Sequence, residues 1–509
     1  MINQIRYKLL PRKFPNQFSP MKKLLFIFLL FLFSTLSAQT KKTSTSTPER
    51  FRIADEMEKS IKTELLNKWY PQSVDTIYGG FLTTFTYDFK PTGPQDKFIV
   101  TQARHTWTTA KAAQLYPDVS YYLMCSNHGY RFLRDVMWDK TFAGFYSLVD
   151  RQGHVKINPQ AAKDAYGNAF GIYALAAYYK ASRDTGALSL VKKAFLWLEK
   201  HSHDPVHKGY YQHLNMDGTP VIRDETTPSN ADLGYKDQNS SIHLLEAFTE
   251  LYGIWPDALV RRRLEEMLYL IRDKITTEKG YLTLFFKPDW TPVSFKDSSE
   301  EIILKHRNLD HVSFGHDVET AYLMLEASHE LSPTSLRAVE ERATSHRSAR
   351  QSSQSRKSGG RLVGETRIIS KRMVDHALKN GWDNLLGGFY DEGYYFKGSD
   401  TITIIRDSKN WWTQAEGINT LLLMADQFPD DSMHYYEKFK QLWTYIQTYL
   451  IDHVYGDWYE GGLDKEPEKR TALKGHIWKA TYHHFRSLSN CVIRLRGVNS
   501  KNQDTSRSR

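Results

Sequence analysis

Apolar positions recur at helical spacing over residues 48–330 and 373–497, and the pattern is broken at intervals by short extended segments that open on glycine beside an aromatic residue. The glycines are Gly80, Gly144, Gly209, Gly280, Gly388 and Gly456, separated by 64, 65, 71, 108 and 68 residues. One period therefore repeats round the chain, with about 40 extra residues in the fourth interval. Each interval has room for two helices of ordinary length and little else. Stretches such as 165–179 place Gly167, Ala169, Gly171, Ala174, Ala176 and Ala177 among Phe170, Leu175 and Tyr178, which suits close packing of an inner helix. Six helix pairs joined by hairpins predict an all-α (α/α)6 barrel with short β-hairpins at one end, a single domain over 48–497. The mouth of such a ring suits a sugar-sized ligand.

Two segments fall outside this pattern. Met21, Lys22 and Lys23 precede an apolar run over 24–33 and the small residues Ser34, Ser37 and Ala38, which has the layout of a secretory signal cut after Ala38. Residues 1–38 are read as that signal; 1–20 have no part in it, which fits initiation at Met21. The run is shorter than the roughly 20 residues a membrane span needs, so an exported protein, periplasmic or secreted, without stable membrane insertion is expected. Residues 335–361 are rich in Ser, Arg and Gln, lack apolar periodicity and coincide with the long fourth interval, and are read as a disordered insertion. The polar tail 498–509 is expected to be loose.

The formal charge of +10 does not belong to the predicted ring. Residues 1–38 hold six Lys/Arg and no acids, and 335–372 hold ten against three, which leaves the remainder at 52 basic against 55 acidic residues. Nucleic acid is thus not an expected partner. With Cys125 and Cys491 alone, an exported chain of this length relies on its core rather than on disulfides.

Candidate chemistry centres on three histidines in different repeats. Asn239, His243 and Glu246 share one helix face, His316 and Glu319 repeat the His-x-x-Glu spacing, and His483 follows Trp478 near the end of the ring. Any one of these alone reads as a structural histidine bonded to a glutamate one turn later. A metal site is disfavoured: carboxylate-bridged bundles use the order Glu-x-x-His, and no further ligands are apparent. Trp411 and Trp412, beside Gln414 and Glu416, form a stacking platform for a sugar ring.

Taken in order, Arg104-His105-Thr106-Trp107, Lys163-Asp164-Ala165-Tyr166-Gly167, the stretch 239–246, Ser313-Phe314-Gly315-His316-Asp317-Val318-Glu319, Trp411-Trp412-Thr413-Gln414-Ala415-Glu416 and the stretch 478–483 resemble the motifs of the N-acylglucosamine 2-epimerase superfamily. Within it they look most like the cellobiose and mannobiose 2-epimerases. The likeness covers about residues 48–497 and agrees with the six-repeat count. It implies His316 and His483 as the general acid/base pair and His243 as an assistant in ring opening or at the reducing-end oxygen. It also implies a sugar site lined by Arg104, Tyr166, Asn239, Glu246, Glu319, Trp411, Trp412 and Trp478. The chain departs from the family at Ala480-Thr481, where Cys-Pro is common, and at His484-Phe485-Arg486, where Asn-Gly-Arg is common.

Epimerisation at C2 of an aldose requires ring opening, removal of the proton beside the aldehyde and its return to the other face of an enediolate. Histidine suits both proton steps, because its ordinary pKa of about 6.5 keeps both forms within reach near neutrality. Arg104 and His243 are candidate donors to the developing oxyanion, and Glu246 and Glu319 are placed to orient the histidines three residues before them. No cofactor or metal is called for, and the expected partner is a small sugar, a disaccharide opened at its reducing end. A glycoside hydrolase would want two carboxylates flanking the scissile bond. A non-catalytic relative would be expected to lack one of the three histidines.

Overall fold

The computed structural model describes residues 47–156, 162–221, 235–332 and 351–497. The chain divides into two units, Met1–Phe51 and Arg52–Arg509. Of the first, only the opening of helix α1 (Thr47–Lys59) is described. The expected signal 1–38 and the tail 498–509 lie outside the described residues.

In the second unit six helices form the inner layer: α2 (Ile99–Leu115), α4 (Ala165–Ser182), α6 (Gln238–Ile254), α8 (Phe314–Glu330), α10 (Trp411–Gln427) and α12 (Tyr482–Leu495). Each packs on the next, and α12 returns to α2, which closes the ring. Helices α3 (Ser120–Phe132), α5 (Thr185–His201), α7 (Ala258–Leu270), α9 (Gln351–Asn380) and α11 (Tyr435–Tyr445) each cover the inner helix that precedes them, and the π-helical turn Ser60–Leu66 after α1 covers α12. This is the (α/α)6 barrel expected from the glycine spacing. No helix among the described residues is long and apolar enough to cross a membrane.

Short antiparallel pairs stitch successive repeats together at the N-terminal ends of the inner helices. Strand β1 (Lys97–Phe98) pairs with β2 (Leu148–Val149), β3 (Lys163–Asp164) with β4 (His213–Leu214), and β5 (Lys236–Asp237) with β6 (Phe285–Phe286). The fourth set is larger: β7 (Val312–Ser313) pairs with β8 (Glu392–Tyr394), which also carries β9 (Thr403–Arg406).

The glycine-aromatic signal has a local cause. All six glycines have φ between 64° and 97°; at Gly144 a Cβ would in addition lie 2.7 Å from the Trp197 ring, so only glycine fits. The turn delivers a buried residue whose backbone N–H is taken by the fourth residue of an inner helix. Gln102 accepts from Phe81 (2.7 Å), Asn168 from Phe145 (2.9 Å), Asp317 from Leu282 (2.9 Å) and Gln414 from Phe389 (2.8 Å). Gln414 also donates back to the Phe389 carbonyl at 2.8 Å, so this side chain serves the scaffold.

A second repeated device is a buried lysine–aspartate pair. Lys97 meets Asp75 at 3.0 Å, Lys163 meets Asp139 at 2.7 Å, Lys236 meets Asp204 at 2.7 Å, Lys409 meets Asp383 at 2.7 Å and Lys474 meets Asp452 at 2.8 Å. In each, the other aspartate oxygen accepts from the backbone N–H groups two and three residues on, so one carboxylate closes a turn and anchors the lysine. The fourth repeat has Thr277 and Val312 at the equivalent places: both charges are replaced together, as burial of either one alone would be costly.

One expectation needs correction. The segment read as a disordered insertion over 335–361 is helical from Gln351, where α9 begins; 335–350 lie outside the described residues. Leu362, Met373, Val374, Ala377 and Leu378 bury the downstream face of α9 in the core. Once those turns are nucleated, adding Ser, Gln, Arg and Lys at the N-terminal end costs little, whatever their lack of apolar periodicity.

Candidate active site

The first three turns of the inner helices converge at the hairpin end and supply nearly every polar side chain of one cleft. The cleft, of about 540 Å3, is lined by Arg104 of α2, Tyr166 of α4, Asn239 and His243 of α6, His316 and Glu319 of α8, Trp411 and Trp412 of α10, His483 of α12, and Trp478 from the preceding loop. Ten of the eleven residues singled out from the sequence are therefore brought together. The eleventh, Glu246, is buried behind His243 and accepts from its Nδ1 at 2.9 Å.

The two proposed acid/base histidines are held differently. His483 Nδ1 bonds Glu416 Oε1 at 2.8 Å; that oxygen also accepts from Arg486 Nη2 at 2.7 Å, which favours the ring as the donor. The arrangement leaves Nε2 of His483 as the free base. His316 Nδ1 instead bonds Ser313 Oγ at 2.8 Å, and its ring lies 4.7 Å from the Trp412 ring, with His483 5.9 Å from the same indole. Burial pushes the His316 pKa down to about 3, helped by the neighbouring His243 and His311. Burial also holds His483 well below its ordinary value, reinforced by the charges of Arg104 and Arg486. Both imidazoles are therefore neutral bases near neutrality.

Arg104 donates to the Trp478 carbonyl (3.0 Å) and to Tyr166 Oη (3.1 Å), with its guanidinium over Phe170 (4.6 Å) and Tyr482 (4.9 Å). Its Nε has no protein partner. Trp478, 49% exposed, forms the rim and meets Phe98 edge-on at 4.8 Å. Aromatic faces with a few fixed donors suit a sugar, whose C–H faces stack while its hydroxyls bond.

Beneath the histidines lies a charged cluster that sequence reading reached only in part. Glu246, Glu319 and Glu416, from three helices, all bond Arg486 of α12, which is 2% exposed. Tyr482 Oη donates to Glu246 at 2.5 Å. Burial would raise the Glu246 carboxyl, yet Arg486, His243 and Tyr482 hold it at about 2. Burial wins at Glu416, whose carboxyl is pushed well above the usual range despite Arg486. Glu319 was expected to orient His316; it binds Arg486 at 2.5 Å instead, because His316 sits in the first turn of α8 and turns back to Ser313. Glu319, Glu416 and His483 bring three potential metal-ligand atoms within 4.8 Å of one another, but the guanidinium already supplies the positive charge between the two carboxylates.

The family departures leave the cleft untouched. His484 is fully buried and bonds Asp457 at 2.6 Å, and Phe485 packs toward Trp107 at 6.3 Å.

The model of the family described as N-acylglucosamine 2-epimerase (GlcNAc 2-epimerase) matches residues 79–363 and 357–487. The chain belongs to this family. It is a carbohydrate epimerase, an isomerase. Among relatives, a cellobiose 2-epimerase of Bacteroides fragilis is 26% identical over 440 residues, covering 85% of this chain and 97% of the relative. Among solved structures, a cellobiose 2-epimerase from Spirochaeta thermophila aligns with a TM-score of 0.69 at 27% identity, covering 90% of the epimerase described here and 99% of that chain. A cellobiose 2-epimerase from Bacillus thermoamylovorans shares the fold, with a TM-score of 0.70 at 23% identity and coverage of 87% and 99%.

Proposed function

We propose that this epimerase inverts C2 at the reducing end of a β-1,4-linked disaccharide, with cellobiose as the first candidate. The observation that carries the reading is a pair of neutral, differently anchored imidazoles, His316 and His483, against one indole in a cleft whose remaining lining is aromatic or hydrogen-bonding. Full-length similarity to proteins described as cellobiose 2-epimerases supports the choice of substrate.

In this reading the sugar ring opens with His243 at the reducing-end oxygens, and one imidazole removes the C2 proton. The resulting enediolate carries negative charge on O1 and O2, which Arg104 and the converging helix N-termini stabilise. A proton then returns to the opposite face, from the first imidazole, now an imidazolium, after rotation about C2–C3, or from the second imidazole once it has taken up through solvent the proton that the first releases. Hydrolysis fits less well, because Glu319 and Glu416 are both tied to Arg486 rather than set across a bond.

Incubation of the purified protein with cellobiose, β-1,4-mannobiose and N-acetylglucosamine, with the C2 epimers resolved, is the direct test. Cellobiose should give its 2-epimer, and reaction in deuterated water should place deuterium at C2. His316→Ala and His483→Ala should each lower turnover by about 10²–10⁴-fold while the protein stays folded; near-normal turnover in both would remove the two-histidine assignment. Conversion of N-acetylglucosamine alone would move the substrate to an N-acylated monosaccharide.

We further propose that this activity lies outside the cytoplasm, a reading supported by the secretory pattern over 21–38. Mass spectrometry of protein from the native cell envelope should find an amino terminus near Gln39. An intact Met1 or Met21 terminus in cytoplasmic protein would overturn the assignment.

A further inference from the structure

Arg486 makes no hydrogen bond to His243 or His483, yet the carboxylates that anchor those two rings, Glu246 and Glu416, both end on it. Nη1 bonds Glu246 and Tyr482 Oη, and Nη2 bonds Glu319 at 2.5 Å and Glu416 at 2.7 Å. Glu246 in turn holds His243 Nδ1 at 2.9 Å, and Glu416 holds His483 Nδ1 at 2.8 Å. The third histidine of the cleft, His316, is held by Ser313 and stands outside this network.

Four inner helices thus meet through one planar fork: α6, α8 and α10 each contribute a glutamate, and α12 contributes the guanidinium. A set of three buried carboxylates has no stable arrangement without a cation between them. The geometry of that cation also matters. A guanidinium offers separate donors in fixed directions, so Glu246 on one nitrogen and Glu319 with Glu416 on the other are held apart at set spacing; an ammonium is a single point that cannot serve both sides at once. A shift of the fork would move both imidazoles together.

We propose that Arg486 is the positioning residue of the reaction: its guanidinium fixes the two carboxylates that set the tautomer and orientation of His243 and His483, and leaves His316 unaffected. The inference rests on the epimerase reading of the cleft for its kinetic consequence, but its structural content can be read without substrate.

The experiment uses the full chain labelled with 15N-histidine, as wild type, Arg486→Lys and Arg486→Met, with ring resonances assigned through single histidine replacements. In the wild type, His243 and His483 should show the Nδ1-protonated tautomer. In Arg486→Lys both should lose it, wholly or to a mixture, while His316 keeps its wild-type signals and His484, bonded to Asp457, serves as a second unaffected control. On whichever sugar the wild type epimerises, kcat should fall about 10²-fold, as expected for misplaced catalytic groups, with KM little changed. Arg486→Met should show the same changes more strongly if it folds. The proposal is overturned if His243 and His483 keep their signals in Arg486→Lys, if all four histidines change alike, or if Arg486→Lys fails to fold, which would make Arg486 a purely structural residue. Failure of the wild type to epimerise any sugar would overturn the functional reading and leave the tautomer result to decide this one.

Discussion

His316 and His483 carry the largest consequence at the level of single residues, because their burial decides the form in which they meet substrate. Moving His316 from 6.5 to about 3 corresponds to about 5 kcal/mol against protonation. A base must be neutral to accept a proton, and a lowered pKa keeps it neutral to lower pH. The acid limb of kcat/KM should therefore lie well below 6.5, with the profile flat from pH 8 to about 5. A limb centred between 6.5 and 7 would mean that the reacting imidazole is one whose environment leaves it unshifted. The same burial makes each ring a weak base for a carbon acid, so stabilisation of the enediolate by Arg104 and the helix termini has to supply much of the rate.

Helices and hairpins were legible from the sequence for reasons that stay local. The glycine at positive φ and the aromatic beside it are both required by one turn, so the signal survives in a single chain without comparison. The lysine–aspartate pairs were not legible, since Lys236 and Asp204 are brought together only by the hairpin between them. Replacing Lys163 by Met leaves Asp139 buried without its partner and should cost about 3–5 kcal/mol, read as a lowered urea midpoint. Packing between elements makes a second prediction. A Cβ on Gly315 would stand 2.4 Å from Thr413 Oγ1 and 2.6 Å from the Trp412 ring, where α8 meets α10. Gly315→Ala should cost about 1–3 kcal/mol in the same assay, and displacement of Trp412 from His316 and His483 should lower turnover as well.

Across the ring, the candidate site was legible where motifs lie on one helix and illegible where contact depends on closure. Glu416 and His483 are 67 residues apart in the chain and meet only because α10 and α12 are neighbours in the ring. Reading Glu319 from its spacing to His316 failed for the complementary reason: proximity along a helix does not decide which of several charged partners wins when a guanidinium from another helix is within reach. The Ser/Arg-rich stretch shows the same limit, because composition alone did not reveal that an apolar face farther along would draw its last residues into α9. The buried lysines have one more implication. Each fastens the two feet of an excursion of the chain at its base, so whatever lies between the feet can be lengthened, shortened or exchanged without disturbing the helices below. The fourth repeat, where Thr277 and Val312 stand in for the charged pair and the excursion between them carries the short helix Glu300–His306, has given up that fastening. Grafts of rim sequence from other epimerases should accordingly be accepted at the fastened repeats as interchangeable parts, whereas at the fourth repeat donor and host would have to be matched along with the helices that flank it.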